Sequence, residues 1–363
     1  MQPKKKILFI LHLPPPVHGA AMMGQYIHDS ELINNNFDCQ YISLTTASSL
    51  TDIGKFNLTK IKNFFRLRRE IRKTVKNFAP ELVYVTPNAK GGAFYKDFII
   101  IQMLKKMGCE VIIHYHNKGV CFRQDKLVDN WMYRQFFKNL KVILLSNCLY
   151  VDIQKYVKKE DVVICPNGIP RTNSGNITRN NVVPHLLFLS NLLISKGVYI
   201  LLEACKMLKN KGLSFYCDIV GAESKEISSD IFQYEVSKRG LHGIVEYHGR
   251  KYGAEKDGYL RSADIFVFPS FYDNECFPLV LLEAMQYQLP IVTTDEGGIP
   301  DIIQDGINGF VCERKNTQSL ATAIEKILLS PELRVQMGKR GFEIYQQKFT
   351  LTKFESNFCK CLK

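Results

Sequence analysis

Short runs of consecutive apolar residues recur along this chain, spaced so that a helix fits between one run and the next. Lys5-Lys-Ile-Leu-Phe-Ile-Leu11 is apolar without alternation, the pattern of a buried parallel strand. A Pro/Gly loop and a helical pattern over 20–32 follow it. Further strand-like runs at 40–44, 82–86, 110–114, 141–146 and 161–165 alternate with helical segments, which predicts a doubly wound parallel sheet. Pro166-Asn-Gly-Ile-Pro170 closes this series. The stretch 171–181 is polar and rich in turn formers, so an interdomain linker is expected, bounded at 169–184 between domains over 1–168 and 185–345. A second series opens with Leu186-Leu-Phe-Leu-Ser190. It continues through a helix at 197–209, strands at 214–220, 245–248, 265–269 and 291–294, and a turn at 306–309. The final helical stretch, 331–363, contains Gly338, Gly341 and a break near Phe349-Thr350. The two halves are alike in architecture without a close sequence repeat, and 363 residues comfortably fill two cores.

Composition changes this picture little: 46% apolar and 23% charged residues are ordinary for a globular protein. No stretch approaches the roughly 18 uninterrupted apolar residues of a membrane-spanning helix, and the apolar run after Met1 is too short for a signal peptide, so a cytoplasmic protein is expected. The eleven cysteines are scattered and include no CxxC pair, so they read as reduced core residues.

Charge does change it. Residues 1–180 hold 27 Lys and Arg against 13 Asp and Glu, while residues 181–363 hold 21 against 22. The densest part, 55–76, sets nine basic residues against one acid, with Ile61, Phe64, Ile71, Val75 and Phe78 at helical spacing. A basic amphipathic helix follows. Its apolar stripe can pack on the first sheet. Alternatively the helix rests on anionic lipid headgroups at ~1 kcal/mol per basic residue, with Phe56, Phe65 and Leu67 off the stripe among the cations. No DNA- or RNA-binding motif accompanies the charge, so nucleic acid is not an expected partner.

Candidate chemistry concentrates in Asp273-Asn-Glu-Cys-Phe-Pro-Leu-Val-Leu-Leu-Glu283, where a carboxylate stands on each side of a proline. The strand before it ends at turn residues, so Glu275 lies beyond the strand's carboxyl end, where open α/β sheets bind ligands. Pro278 suits the first helical position, leaving the amides of Leu279 and Val280 free for an anion, and Glu283 falls about a turn and a half into the helix.

The stretch from Phe266 to Val311, with Glu275-x7-Glu283, Gly297-Gly-Ile-Pro-Asp301 and Asp305-Gly-Ile-Asn-Gly-Phe310, resembles the donor-binding half of retaining glycosyltransferases of family 4. Pro14-Pro-Pro-Val-His-Gly19, His114-Tyr-His116, Pro166-Asn-Gly168 and Ser195-Lys196-Gly197 fall in the family's order. The resemblance implies the GT-B fold, two doubly wound Rossmann-like domains facing each other across a cleft, with a C-terminal helix over 346–363 returning to the first domain. It implies a nucleotide-sugar donor, UDP- or GDP-linked, and a glycan acceptor, which the basic first half suggests is lipid-linked at the inner membrane face. Glu283 is then expected to hold the ribose hydroxyls. Glu275 is expected to bind the transferred sugar, and Lys196 the diphosphate, beside Phe277, Pro278, Leu279 and Val280. An arginine usual in the family before this lysine is replaced by Ser190-Asn191, so Arg250 is the expected second cation. Gly19, in the loop after the first strand, is expected to let the backbone approach the donor. His116 is expected at the sugar, while His114 is expected to point elsewhere.

The family's usual mechanism is same-face substitution, in which the departing diphosphate takes the acceptor's proton. No Asp-x-Asp element is present; the nearest is Asp273-Asn-Glu275, so neither a metal nor another cofactor is expected. Two other classes share these features: a nucleotide-sugar 2-epimerase, and a non-catalytic partner subunit that binds nucleotide sugar.

Overall fold

A computed structural model describes residues 3–44, 58–172, 179 and 181–363, with 58–60 described for their backbone alone. The chain divides into two units, Met1–Gly168 with Leu351–Lys363, and Ile169–Thr350. Residues 173–178 and 180 of the expected linker lie outside the described residues, as do Lys55 and Phe56 of the basic segment.

The first unit runs β1 (Lys6–Leu11), α1 (Gly19–Asp29), α2 (Glu31–Asn36), β2 (Asp38–Ser43), α3 (Leu58–Phe78), β3 (Leu82–Val85), α4 (Gly91–Lys106), β4 (Val111–Tyr115), α5 (Leu127–Phe137), β5 (Lys141–Leu144) and β6 (Val162–Ile164). Its six strands are parallel, in the order β2-β1-β3-β4-β5-β6. The helix expected over 20–32 is two helices, because Ser30 leaves the helical conformation and its hydroxyl accepts from the amide of Ile33, capping the second.

Every residue of β3 and β4 is buried, which is why these strands read as unbroken apolar runs. The crossovers through α3, α4 and α5 all step the same way across the sheet, so right-handedness puts the three helices on one face. On α3 the buried positions are Leu67, Ile71, Val75 and Phe78. Leu67 therefore belongs to the packed stripe instead of lying among the cations, and Ile61, expected on the stripe, is exposed. The register is the expected one, since Ile71, Val75 and Phe78 are buried; Leu67, four residues before Ile71, shares their face, Ile61 falls at its edge, and Phe65 remains exposed.

The second unit runs β7 (His185–Leu189), α6 (Val198–Asn210), β8 (Tyr216–Val220), α7 (Ser229–Lys238), β9 (Val245–Tyr247), α8 (Gly253–Ser262), β10 (Ile265–Phe268), α9 (Leu279–Gln286), β11 (Ile291–Thr294), α10 (Ile299–Ile302), β12 (Gly309–Cys312), α11 (Thr317–Leu328) and α12 (Pro331–Lys348). Its parallel order is β12-β11-β10-β7-β8-β9. The break at Phe349-Thr350 separates α12 from α13 (Leu351–Leu362), which belongs to the first unit. There α13 lays Phe354 and Phe358 inward, with the Phe358 ring edge-on to Tyr84 at 5.1 Å. All eleven cysteines are free thiols. No helix among the described residues is long and apolar enough to cross a membrane.

Candidate functional site

In the second sheet the chain steps from β7 outward to β9 and then returns to place β10 on the other side of β7. Loops leaving the carboxyl ends of β7 and β10 therefore diverge, and the crevice between them is where open α/β sheets take ligands. Lys196 comes from the first of these loops and Glu275 from the second, and Lys196 Nζ lies 2.5 Å from Glu275 Oε2. Ser270 Oγ donates to the same oxygen at 3.0 Å. The ammonium also faces the rings of Tyr272 at 4.7 Å and Phe268 at 5.3 Å. Both partners are nearly buried, so each charge depends on the other for its solvation.

Two glycines make this approach possible. Gly197 has φ +80°, and a Cβ there would stand 2.1 Å from the carbonyl oxygen of Pro269. Gly297 has φ +61°, and a Cβ there would stand 2.2 Å from that of Glu275. Both conformations lie in the left-handed region that L side chains avoid, and the space beside each is backbone.

Helix α9 starts from the same loop. Pro278 is the N-cap, with ψ 116°, instead of the first helical residue; Leu279 takes that position. The consequence for chemistry is unchanged, because the amides of Leu279 and Val280 have no carbonyl behind them in the helix. Phe277 is buried against Phe349, ring centroids 5.8 Å apart, so it supports the loop and does not line an open site. Glu283, on α9, is half-buried and pairs through Oε1 with Lys256 Nζ of α8 at 2.9 Å.

Sequence reasoning missed Lys256, since a lysine in a polar helix carries no signal of what it faces. It also missed Ser270 and Tyr272, whose roles arise only from the folding back of 270–275. Arg250 does not join this group. It is exposed on the loop after β9, two strands from β7, with its guanidinium over Tyr252 at 5.0 Å.

The first unit brings four histidines together near its own switch point, between β1 and β3. His12 follows β1, and its amide donates to Thr86 Oγ1 at 3.2 Å. The His18 ring lies 5.9 Å from that of His12, and its Nδ1 accepts from the amide of Ala21 to cap α1. Gly19 is thus the first residue of α1 and not part of the loop, and apart from its chain neighbours and its own helix nothing lies within 4 Å of where its Cβ would stand.

His114 and His116 are two residues apart on an extended segment, so they share a face, and their rings lie 4.3 Å apart. The expectation that His114 points elsewhere is therefore wrong: only odd spacings along a strand change face. His114 Nδ1 is bonded to Tyr84 Oη at 2.9 Å, whereas both ring nitrogens of His116 are buried without a partner. Burial, reinforced by His12 and His18, lowers the His116 pKa to about 3. Burial, with Lys96 and His18, takes His12 to about 3 as well. His116 is thus a neutral imidazole, able to offer one donor and one acceptor. Among the described residues no three His, Cys, Asp or Glu side chains are placed to hold a metal ion.

Residues 171–344 match the family described as Glycosyl transferases group 1. The putative colanic acid biosynthesis glycosyltransferase WcaL of Salmonella typhimurium is 26% identical over 202 residues, covering 53% of this chain and 48% of WcaL. The chain thus spans about half the length of that relative. The uncharacterized glycosyltransferase MJ1178 of Methanocaldococcus jannaschii is 25% identical over 94% of both chains. Among solved structures, Anabaena Alr3699/HepE in complex with UDP superposes with a TM-score of 0.75 at 16% identity, over 98% of this chain and 99% of that one. The protein therefore has the two-domain GT-B fold, with the match to the Glycosyl transferases group 1 model lying within its second unit.

Proposed function

We propose that this protein is a retaining glycosyltransferase of polysaccharide biosynthesis, moving a sugar from a UDP- or GDP-sugar to a lipid-linked glycan acceptor without a metal ion. The observation that carries the reading is the buried Lys196–Glu275 pair beside the free amides at the start of α9. A departing nucleoside diphosphate gains negative charge in the transition state. It is stabilised by a cation and aligned amides already in place, because they need no reorganisation as the bond breaks. Lys196 is that cation and the α9 amides are those donors. Glu275, freed in part from Lys196 as the phosphates arrive, accepts from hydroxyls of the sugar.

Glu283 keeps Oε2 for the ribose while Lys256 holds Oε1. His116 is proposed to hydrogen-bond a hydroxyl of the transferred sugar through its unpartnered ring. Retention follows if the departing phosphate itself takes the acceptor's proton on the same face, which requires no enzymic nucleophile. The UDP bound to Alr3699/HepE and the polysaccharide pathway named for WcaL support the donor and acceptor classes.

The test is thermal stabilisation of the purified protein by a panel of UDP-, GDP-, ADP- and dTDP-sugars with EDTA present throughout, and Glu283→Ala alongside. Ligand at 100 times its Kd adds about 2.7 kcal/mol of stability. A shift with one nucleotide family that disappears in the variant is expected. No shift with any of them, or one that appears only when magnesium replaces EDTA, overturns the reading.

A further inference from the structure

Helix α5 buries one face, Asp129, Tyr133, Phe136 and Phe137, against the first unit. Its opposite face is also apolar at the start. Leu127 is 87% exposed, Val128 68% and Trp131 59%, with Phe122 of the preceding loop exposed as well. The Trp131 ring lies 6.1 Å from that of Phe98 on α4, where Ile99 is exposed beside it. Three large apolar side chains exposed on the first turns of one helix have no folding reason, and such a group marks a contact surface.

Charge identifies the partner. Residues 58–138, which form α3, α4 and α5 with their connections, carry 17 Lys and Arg against 6 Asp and Glu. Two of those acids, Asp97 and Asp129, are buried, and Asp129 is bonded to Arg123. Lys126, Arg134 and Lys138 are exposed beside the apolar group, the exposed Asp125 is paired with Lys155, and α3, on the same sheet face, adds the exposed Arg66, Arg69, Arg72 and Lys73 around Phe65. A second copy of this chain would bring the same positive field to the contact and be repelled. Nucleic acid would meet the charge and Trp131 could stack on a base, but the exposed aliphatic pair Leu127 and Val128 gains nothing from bases or phosphates, and no nucleic-acid-binding motif accompanies the patch. An aliphatic pair and a tryptophan ringed by cations suit the headgroup region of an anionic bilayer, where indole sits at the interface and Lys and Arg reach phosphates.

We propose that the first turn of α5, with Leu127, Val128 and Trp131, inserts among the headgroups of an anionic membrane while α3 lies on its surface. The proposal deepens the lipid-linked acceptor reading above. The binding itself needs neither donor nor acceptor, so its failure and that of the donor site are read separately.

Trp131 is the single tryptophan of the chain, so fluorescence excited selectively at tryptophan reports this spot alone. Phosphatidylcholine vesicles with roughly 30% phosphatidylglycerol should shift its emission to the blue, and brominated acyl chains should quench it. Pure phosphatidylcholine should do neither. The Leu127→Asp/Val128→Asp variant, altered only at exposed positions, should lose vesicle flotation at an unchanged melting temperature. Neutralising Arg69, Arg72 and Lys73 to Gln should lower partitioning by about fivefold per residue. The proposal is overturned if anionic vesicles fail to bind the protein, if they bind it with the Trp131 emission unmoved, or if the aspartate variant floats like the parent. Dimerisation that the aspartate variant abolishes, with no vesicle binding, would also overturn it and assign the surface to a second copy.

Discussion

Acid should unfold the first unit through His12 and His116. Each has a folded pKa near 3, set first by burial, against about 6.5 in an unfolded chain. Between these values the unfolded chain binds more protons than the folded one, so stability rises with pH through that window and is fully present above it. At pH 5 the difference is 1.5 pH units from the unfolded value, or about 2 kcal/mol for each histidine at 1.36 kcal/mol per unit. The two together cost about 4 kcal/mol relative to pH 7.5, a large share of the 5–15 kcal/mol that usually holds a domain. His114, lowered by burial and by its neighbour His116, acts in the same direction. Urea unfolding followed by the fluorescence of Trp131 reads this unit separately from the second. Wild-type stability should fall by about that amount between pH 7.5 and 5.0, and His116→Asn should remove about half of the fall. An equal pH dependence in parent and variant would show that the imidazole is not buried as a neutral group, and the argument from its unpartnered nitrogens would go with it.

Gly197→Ala should destabilise the second unit by about 3 kcal/mol, combining a left-handed φ with a Cβ driven into the Pro269 carbonyl. That lowers its melting temperature by roughly 6–12 °C, and a melting curve like the parent's would contradict the packing described. Lys196→Met should reduce kcat by roughly 10²–10³-fold by removing the cation at the leaving group. It should also cost about 3–5 kcal/mol of stability by leaving Glu275 buried without a counter-ion. The double variant Lys196→Met/Glu275→Leu should recover most of that stability with no recovery of activity. If the double variant is as unstable as the sum of the single ones, the two groups do not act as a pair.

Much of the architecture was legible because parallel strands buried on both faces announce themselves as apolar runs, and β11 begins and ends where its run Ile291–Thr294 does. The side-chain errors have local physical causes. Leu67 was left off the stripe although it lies one turn before Ile71 on the same face, and His114 was read against the wrong parity of a strand. Arg250 was expected as the second cation in place of an arginine missing at Ser190-Asn191, and its guanidinium lies instead over Tyr252, a placement that only the fold reveals. Lys256 gave no sign at all, since its partner Glu283 is 27 residues away on another helix.

The order of residues is enough to establish which segments become strands and helices, that they form two parallel α/β units, and that a carboxylate pair flanks the start of α9. These follow from periodicity and from short-range chemistry, which adjacent residues carry in full. Tertiary structure decided that β10 returns beside β7, and so that Lys196 meets Glu275 across 79 residues. It decided too that His116 is neutral and unpartnered, and that α5 turns a tryptophan and two aliphatic side chains to water. Those outcomes depend on which surfaces the folded layers cover and which they leave open, and no window of neighbouring residues contains that information.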